Sequence, residues 1–130
     1  MEFGRRGDFI TSPGISKLFS EMIAIWVVSF WENLNKPEKI NLVELGAGNG
    51  ELIEVLINTL NKLEIVKDKF KFFIFEKSVS LKKLQKKKFS KSVKWLDNFD
   101  KLPNSPTIFL ANEFFDALPI KQFIKINDEW

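Results

Sequence analysis

Four residues near the middle of the chain have the types and spacing to hold a small charged ligand. Gly46, Gly48 and Gly50 occupy alternate positions, and an acid, Glu44, stands two positions before the first of them. Glycines let the backbone adopt positive φ and approach a ligand closely. A carboxylate beside them suits a ligand that carries an ammonium group. A plain tight turn between a strand and a helix is the alternative interpretation of the same glycines.

The flanking sequence predicts that this turn joins a strand to a helix. Residues 40–45 form a short apolar run, and apolar residues recur at helical spacing over residues 51–62. A dinucleotide-binding turn has the pattern G-x-G-x-x-G, but Glu51 stands here in place of its third glycine. A nicotinamide-dependent dehydrogenase is therefore a minor alternative. S-adenosylmethionine, which carries an ammonium, a sulfonium and one carboxylate, suits the turn better.

Acidic residues also end or follow two other predicted strands. Glu76 ends a nearly continuous apolar run, and Asp97 follows the short strand predicted over residues 93–96. A ligand of a parallel sheet lies outside the carboxyl ends of the strands. Glu76 could then accept hydrogen bonds from two ribose hydroxyls, and Asp97 one from an adenine amino group. Each acid alone is equally well interpreted as a strand-end charge in water, and Asn98 and Asp100 are alternatives to Asp97.

A third polar group follows the strand predicted over residues 107–111. Asn112, Glu113 and Asp116 place two carboxylates and an amide at the rim where a second substrate would meet a methyl group. A pair of carboxylates suits a guanidinium, which binds carboxylates with fork geometry. The alternative is that Asp116 and Pro119 only shape the turn.

Composition excludes several kinds of chemistry. The chain has 130 residues, enough for one domain or part of one, and 45% of them are hydrophobic, which favours a folded core. It contains no Cys and no His, which excludes disulfides, thiolate metal sites and imidazole catalysis. We therefore expect no metal, and any acid–base work must use carboxylates, lysines or water.

Charge and hydropathy bound the partners and the compartment. The net charge is +3, and the densest run of lysines, over residues 82–94, alternates with apolar residues as on the wet face of a helix. We expect no nucleic-acid ligand. The N-terminus lacks an apolar stretch typical of a signal peptide, and the apolar run over residues 22–31 is too short to span a bilayer. Abundant Lys, Asn, Ile and Phe suggest an AT-rich genome, hence a bacterial cytoplasmic protein.

The predicted elements alternate as in a parallel α/β sheet. A helix over residues 14–35 comes first, and its wide apolar stripe should be more than half buried. The residues of that stripe are Ile15, Leu18, Phe19, Met22, Trp26, Phe30 and Leu34, widened by Ile23, Val27 and Trp31. The predicted strands are residues 40–45, 70–76, 93–96, 107–111 and 122–126, and the predicted later helices are residues 51–62 and 79–88.

Three stretches together resemble the MidA-like methyltransferases, a family that includes arginine methyltransferases which assist assembly of respiratory complex I. They are Gly-Asp-Phe-Ile-Thr-Ser-Pro at residues 7–13, Leu-Val-Glu-Leu-Gly-Ala-Gly-Asn-Gly at 42–50 and Asn-Glu-Phe-Phe-Asp-Ala-Leu-Pro at 112–119. The glycine motif is common to many methyltransferases, whereas the first and third stretches are much more specific. The resemblance covers almost the whole chain.

The resemblance implies a class I methyltransferase fold, a Rossmann-like parallel sheet with flanking helices, and S-adenosylmethionine as methyl donor. It implies a protein substrate that accepts the methyl group on an arginine side chain, with a respiratory complex subunit as the candidate, and it adds the mitochondrial matrix as a second compartment. The family usually has Glu where Gly14 stands here, so this chain lacks that carboxylate at the first turn of the predicted helix. The implied donor-binding residues are Gly7, Asp8, Thr11, Ser12, Glu44, Gly46, Ala47, Gly48, Gly50, Glu76 and Asp97, and the implied catalytic residues are Asn112, Glu113 and Asp116.

Family members are much longer than this chain, which resembles the N-terminal part of their catalytic domain. About five of the seven strands of that fold can be found, so we expect a fragment that is incomplete as a domain. An unpaired strand edge and bare apolar faces favour self-association. The alternative function is a non-catalytic assembly or scaffold module that binds a partner through the apolar first helix.

Overall fold

The computed structural model describes residues 17–89 and 91–124. These residues form a four-stranded sheet, three α-helices and one turn of 3-10 helix. The elements in chain order are α1 (Lys17–Asn33), β1 (Ile40–Leu45), α2 (Glu51–Leu60), β2 (Phe70–Phe75), α3 (Val79–Phe89), β3 (Val93–Leu96), β4 (Thr107–Leu110) and the 3-10 turn (Phe115–Ala117). This architecture confirms the predicted α/β class and four of the five predicted strands.

The sheet has the strand order β3-β2-β1-β4, and every pair of neighbours is parallel. The strands end in register, because Leu45 pairs with Phe75 and Phe75 pairs with Leu96. On the other side of β1, Glu44 pairs with Leu110. The residues that follow all four strands therefore meet at one edge of the sheet, the carboxyl edge, as the sequence predicts.

The three helices pack on one face of the sheet. Apolar side chains that alternate along the strands enter one core with the helices, among them Leu42 of β1, Ile74 of β2 and Leu56 of α2. The opposite face holds a smaller cluster around Val43 and Phe73, against which loop residues rather than a described helix pack. The larger core, between the sheet and the helices, holds in place the strands and helices that carry the carboxyl edge.

The prediction for the buried face of α1 is only partly right: Val27 and Trp31 of the predicted stripe are buried and Ile23 packs against the core, whereas most of the remaining stripe is exposed. The buried residues of α1 are Ser20, Ala24, Val27 and Trp31. The exposed large apolar residues of this helix and its end are Leu18, Met22, Ile25, Trp26, Phe30 and Leu34. The small side chains of Ser20 and Ala24 let α1 lie close to α2 along the inner face, which also buries Val27 and Trp31. Within the described ranges, no helix is long and apolar enough to cross a membrane.

The C-terminus of α1 lies two residues earlier than predicted, and local hydrogen bonds explain why. Asn35 takes the left-handed conformation, with φ 64°. The Lys36 N–H donates to the Trp31 carbonyl at 3.1 Å, and the Asn35 N–H donates to the Glu32 carbonyl at 3.0 Å. This pair of bonds is the Schellman motif that closes many helices. The predicted helix start at residues 14–16 lies outside the described residues.

The fifth predicted strand, residues 122–126, is not formed in its described part. Residues 122–124 have no strand structure, and Phe123 and Ile124 are exposed at 69% and 75%. Residues 125 and 126 lie outside the described ranges. Apolar and β-branched residues favour an extended backbone, but a strand also needs an edge that pairs with its N–H and C=O groups. Residues 122–124 reach no such edge, and β4 pairs only with β1 in the described sheet.

Candidate functional site

The turn between β1 and α2 adopts a conformation that requires glycine. Gly46, Gly48 and Gly50 all have positive φ, at 66°, 56° and 82°. The Gly46 N–H donates to the Phe75 carbonyl at 2.9 Å, and the Gly50 N–H donates to the Ala47 carbonyl at 2.8 Å. The turn is therefore tied to the end of β2 at its start and closed on itself at its end.

The three glycines differ in what surrounds them. A Cβ placed on Gly46 would meet the ring of Phe114 at 2.6 Å, and one placed on Gly50 would meet the ring of Phe89. A Cβ on Gly48 would meet nothing within 4 Å. The fold itself requires the absence of side chains at the two outer glycines. At Gly48 the neighbouring space is open, as a site for ligand backbone contact needs.

Glu44 lies beneath this turn as a buried carboxyl group with an unused acceptor. Its side chain is 4% exposed, and Oε2 has no hydrogen-bond partner among the described residues. Burial raises the pKa of the Glu44 carboxyl to about 8; the Ile53 N–H donates a hydrogen bond that opposes this, and the charge of Glu76 adds to it. The Ile53 N–H belongs to the first turn of α2, so Glu44 also caps that helix in place of the side chain that Gly50 lacks. An unpaired buried acceptor costs about 1–3 kcal/mol, which a cationic ligand would recover.

Glu76 follows the end of β2, and each of its carboxylate oxygens accepts a hydrogen bond. The Ser78 N–H donates to Oε1 at 2.9 Å, and the amide Nε2 of Gln85 donates to Oε2 at 3.4 Å. The side chain is 8% exposed. A carboxylate oxygen has two lone pairs, so each oxygen keeps the capacity to accept a further bond from a ligand hydroxyl.

Asp97 lies at the same edge, after β3, but in solvent and in an ion pair. Its Oδ1 accepts a hydrogen bond from the Lys82 ammonium at 2.7 Å, and its side chain is 74% exposed. The hydrogen bond and charge of Lys82 lower the pKa of Asp97. The register places Asp97 beside Glu76, since the residues that precede them, Leu96 and Phe75, are paired.

The residues after β4 form the opposite and more open part of the edge. Glu113 has φ 53°, a left-handed conformation that costs a non-glycine residue about 1–3 kcal/mol. Asp116 belongs to the 3-10 turn, and both carboxylates are exposed with no ion-pair or hydrogen-bond partner in the described parts of the chain. Asn112 is half-buried. Phe114, between them, places its ring against Gly46, so this segment contacts the glycine turn.

A small pocket lies between the glycine turn's helix and the end of β4. Its volume is about 120 Å³. Its walls come from α1, α2 and the end of β4, and they are Phe19, Ile23, Leu52, Leu110, Ala111 and Asn112. Ligand pockets for whole small molecules are usually about 300–1,000 Å³. This one can therefore hold a small apolar group next to the polar edge, not an entire nucleoside.

The structure thus brings the predicted residues at the ends of β1, β2, β3 and β4 to one edge, where Glu44 and Glu76 are buried and Glu113 and Asp116 are exposed. The predicted donor-loop residues Gly7, Asp8, Thr11 and Ser12 lie outside the described residues. Sequence reasoning missed Gln85, which is fully buried and contacts both Glu76 and the glycine turn. The available signal was its position four residues from both Leu81 and Phe89, on the apolar side of a lysine-rich helix.

A parallel sheet with a left-handed glycine turn after its first strand and acids after the next two is typical of the Rossmann-like class of folds, whose members bind nucleotides or similar cofactors at this edge. Comparison with known proteins narrows that class. The chain belongs to the family described as "Putative S-adenosyl-L-methionine-dependent methyltransferase", whose model matches residues 22–130. This membership confirms the resemblance found in the sequence and, at the level of the family, the predicted donor.

Individual relatives agree with the family match. The chain is 32% identical to the mitochondrial protein arginine methyltransferase NDUFAF7 of Xenopus laevis and 30% identical to that of Homo sapiens, over 98% of this chain in each case. It spans only 35% and 34% of the length of those proteins. A Burkholderia thailandensis protein solved with S-adenosylhomocysteine bound superposes with a TM-score of 0.73 at 28% identity, over 91% of this chain and 32% of that one. The class I methyltransferase fold is confirmed by this neighbour.

Proposed function

We propose that the protein containing this chain transfers a methyl group from S-adenosylmethionine to a nitrogen of a protein arginine. The observation that carries the proposal is the buried Glu44 carboxyl, whose Oε2 is unpaired beneath a glycine turn that has open space at Gly48. A cationic ligand with a flat nucleoside part fits this arrangement of one unpaired buried acceptor and close backbone. The family match and the S-adenosylhomocysteine-bound neighbour support the same ligand.

Each part of the carboxyl edge would hold a different part of the donor. Glu44 would accept a hydrogen bond from the donor's ammonium, Glu76 would accept from its ribose hydroxyls, and Asp97 would accept from its adenine amino group. The backbone of residues 46–50, with Ala47 included, would lie against the donor because no side chain intervenes at Gly48. S-adenosylmethionine, when bound, supplies an electrophilic methyl group on a sulfonium.

The residues after β4 would serve the second substrate. Glu113 and Asp116 are exposed carboxylates without partners in the described ranges, and a guanidinium can pair with both through its fork of N–H donors. Asn112 borders the small pocket and would contact the group that lies between donor and acceptor. Catalysis would come mainly from holding the nucleophile in line with the methyl group. The names of the animal relatives support arginine as the substrate and a protein as the partner.

The test is binding followed by transfer, on the intact protein that contains this chain. Calorimetry with S-adenosylhomocysteine is expected to show a single site with micromolar affinity, and labelled methyl groups from S-adenosylmethionine should appear on protein arginine. A protein that binds neither molecule at millimolar concentration contradicts the proposal. Titration with NADH, for which we expect no binding, is the control against the dehydrogenase alternative.

A non-catalytic assembly function is the second candidate, and one observation favours it. The outer face of α1 exposes Leu18, Met22, Ile25 and Trp26 at 51–65%, and such apolar patches mark interaction surfaces. A scaffold module would keep its melting temperature in S-adenosylhomocysteine. A donor-binding domain would gain roughly 2.7 kcal/mol of stability at a ligand concentration one hundred times the dissociation constant.

The same face and the outer edge of β4 support the prediction of self-association for the 130-residue chain. Light scattering after size-exclusion chromatography is expected to give a mass above that of one chain. Replacing Trp26 by Glu should shift the mass toward the monomer, whereas replacing exposed Lys83 by Glu should not. A sharp monomer peak of the unchanged chain at high concentration contradicts the prediction.

Two compartments are proposed for the protein, the bacterial cytoplasm and the mitochondrial matrix. The composition of the chain favours the cytoplasm of a bacterium with an AT-rich genome, and the mitochondrial names of the animal relatives support the matrix. Sequencing of the genes on either side of this reading frame would decide between the two compartments, since bacterial and nuclear genes differ in their neighbours.

A further inference from the structure

Gln85 is a buried amide that forms hydrogen bonds with the glycine turn, with Glu76 and with Trp95. No role for this residue is predicted from the sequence. It is fully buried, although it belongs to the lysine-rich helix α3. Its Nε2 donates to the Gly48 carbonyl at 2.8 Å and lies 3.4 Å from Oε2 of Glu76. One side chain thus contacts the glycine turn and the acid of β2 at the same time.

The indole of Trp95 fixes which way this amide points. The Trp95 Nε1–H donates to Oε1 of Gln85 at 3.0 Å. An indole N–H is only a donor, so the amide must turn its oxygen to Trp95 and its NH₂ group to the acceptors on the other side. All the polar atoms of Gln85 are satisfied in this orientation, as the burial of an amide requires.

The hydrogen bond to Gly48 fixes the orientation of one peptide group in the turn. The peptide bonds of the described residues are trans, so the C=O of Gly48 and the N–H of Asn49 point in opposite directions. With the carbonyl held against α3, the Asn49 N–H points away from α3. An added Cβ on Gly48 meets nothing within 4 Å, so neighbouring atoms do not restrict this residue. As a glycine, it can also change its backbone angles more readily than other residues can. The turn therefore needs an external contact to keep this peptide group in one orientation.

Glu76 is oriented by the same amide. Its Oε1 is held by the Ser78 N–H and its Oε2 faces the Gln85 NH₂. Without Gln85, the Ser78 N–H alone would leave the carboxylate able to rotate and to face the buried Glu44, whose charge it already opposes. The geometry of the acid thus depends on an amide nine residues further along the chain.

We propose that Gln85 is a positioning residue for the methyl donor, which orients the Gly48 peptide group and the Glu76 carboxylate together through an amide whose direction Trp95 sets. The inference rests on the proposed function, because it takes the glycine turn and Glu76 as the donor's contacts. Gln85 itself does not touch the donor. It determines whether the turn presents the Asn49 N–H, and whether Glu76 presents its free lone pairs, to the ligand.

The experiment is a thermodynamic cycle that combines one substitution in the protein with the removal of one hydroxyl group from the ligand. Calorimetry gives the affinities of the intact protein and its Gln85→Met variant for S-adenosylhomocysteine and for its 2′-deoxy analogue. Loss of the hydroxyl is expected to weaken binding to the unchanged protein about tenfold, the usual effect of one lost hydrogen bond to a charged group. In Gln85→Met we expect weaker binding of S-adenosylhomocysteine, by about tenfold to a hundredfold, and a 2′-deoxy penalty below about threefold.

Further variants keep the test informative if the first folds poorly. Gln85→Glu, measured at a pH where the new carboxyl group is ionised, retains an acceptor for Trp95 but cannot donate to the Gly48 carbonyl, so it should bind more weakly than Gln85→Met there. Trp95→Phe retains most of the ring and loses only the N–H that directs the amide, and about a threefold to tenfold loss is expected. Exposed Lys87 on the same helix supplies the matched control, since Lys87→Met should leave both affinities unchanged. Melting temperatures recorded in parallel identify a variant that is unfolded.

The outcomes separate the inference from the proposed function. Equal weakening of both ligands by Gln85→Met, with the 2′-deoxy penalty unchanged, would mean that Gln85 does not orient Glu76 toward the ribose, and it would overturn the joint positioning role while leaving the proposed function intact. Normal binding by the folded Gln85→Met variant would do the same. If the unchanged protein binds neither ligand, the proposed function fails and the inference fails with it.

Discussion

Two parts of the sheet's carboxyl edge differ in how they hold their polar groups: the carboxyl ends of the central strands, here called the β1–β2 end, and the carboxyl end of the outer strand, here called the β4 end. At the β1–β2 end, Glu44 and Glu76 are at most 8% exposed, and Gln85 links the second of them to the glycine turn. At the β4 end, Glu113 and Asp116 are exposed and have no hydrogen-bond or ion-pair partner in the described parts of the chain. The core holds the carboxyl groups of the β1–β2 end in place, whereas those of the β4 end lie on an exposed turn in which Glu113 has a left-handed backbone.

This difference indicates that the described residues preorganise one binding event and not the other. Buried and mutually bonded groups keep their geometry without a ligand, which reduces the ordering that binding requires. Exposed carboxylates on a turn adopt many rotamers and must be ordered when a partner arrives. We therefore expect changes at the β1–β2 end to abolish donor affinity, and changes at the β4 end to alter transfer while the donor still binds.

The largest effect is expected at Gly48. Gly48→Val should abolish detectable binding of S-adenosylhomocysteine, because its side chain would occupy the open space beside the turn. The left-handed conformation at this position costs a β-branched residue about 1–2 kcal/mol of stability. The fold should therefore survive. Urea denaturation and calorimetry on the same sample measure the two effects.

Gly50→Ala is the matched control for Gly48→Val. Its Cβ would overlap the ring of Phe89 in addition to the strain at φ 82°, so we expect a loss of about 3 kcal/mol of stability or more. Normal donor binding by Gly48→Val would show that the turn serves only the fold and that the site lies elsewhere.

The next largest effect is expected from Glu44→Gln, with a dependence on pH that identifies the group. A pKa of about 8 means that Glu44 is mostly protonated at pH 7. A bound ammonium favours the ionised form, so the unchanged protein should release a proton on binding, and its affinity should rise by up to about tenfold per unit between pH 6 and 8. Glu44→Gln should bind about tenfold to a hundredfold more weakly at pH 8. Calorimetry in buffers of different ionisation enthalpy measures the proton.

Glu44→Gln also provides a control that involves no ligand. Because the folded-state pKa of Glu44 is raised from 4.5 to about 8, the folded protein binds the extra proton between these values. Stability due to this group is therefore fully present below about pH 4.5 and is lost as pH rises to about 8, by roughly 3 kcal/mol at pH 7. The difference in unfolding free energy between the variant and the unchanged protein should follow that curve. A flat difference would show that the pKa of Glu44 is the same in the folded and the unfolded protein.

A smaller effect on binding, and a clear one on transfer, is expected after β4. Glu113→Gln with Asp116→Asn should lower the rate of methyl transfer to arginine about tenfold or more, because two charge-assisted hydrogen bonds to the guanidinium are lost. Affinity for S-adenosylhomocysteine should change by less than about twofold, since neither carboxylate contacts the β1–β2 end. Rates and affinities are measured on the same preparation. A loss of donor affinity equal to the loss of rate would mean that the two ends are one site.

The sequence predicted the polar edge well because one rule governs it. In a parallel sheet the carboxyl ends of all strands point the same way, so acids at the strand ends had to meet, and the register of Leu45, Phe75 and Leu96 confirms this. The glycine pattern likewise predicted positive φ at a turn. The rule concerns the backbone alone and needs no knowledge of side-chain packing.

Predictions that depended on packing were less successful. Both faces of α1 are apolar, so size could not identify the buried one, and the inner face is the one with small residues such as Ser20 and Ala24. Residues 122–124 favour an extended backbone, but pairing depends on an edge far away in sequence. Gln85 was hidden in a run of lysines, because its burial follows from contacts with Trp95 and Gly48 rather than from its neighbours in the chain.

The smallest effect is expected at the ion pair of Lys82 and Asp97, which tests how far the preorganised end extends toward β3. Asp97 is 74% exposed, and exposed pairs contribute little to stability. Lys82→Met should therefore shift the melting temperature by less than about 2 °C. Loss of the Lys82 hydrogen bond raises the lowered pKa of Asp97 toward its ordinary value, but this carboxyl group remains ionised at pH 7. Binding of S-adenosylhomocysteine at pH 7 should then change by less than about threefold.

Asp97→Asn is the counterpart that tests the adenine contact itself. An amide can donate as well as accept, so the variant should lose part of the preference for S-adenosylhomocysteine over S-inosylhomocysteine, by about threefold to tenfold. An unchanged preference would assign the adenine contact to Asn98 or Asp100. If instead Lys82→Met weakens binding more than tenfold at pH 7, the ion pair itself holds the nucleoside. The part of the edge that is ordered before the donor binds would then include the carboxyl ends of β1, β2 and β3, and only the β4 end would have to be ordered by its substrate.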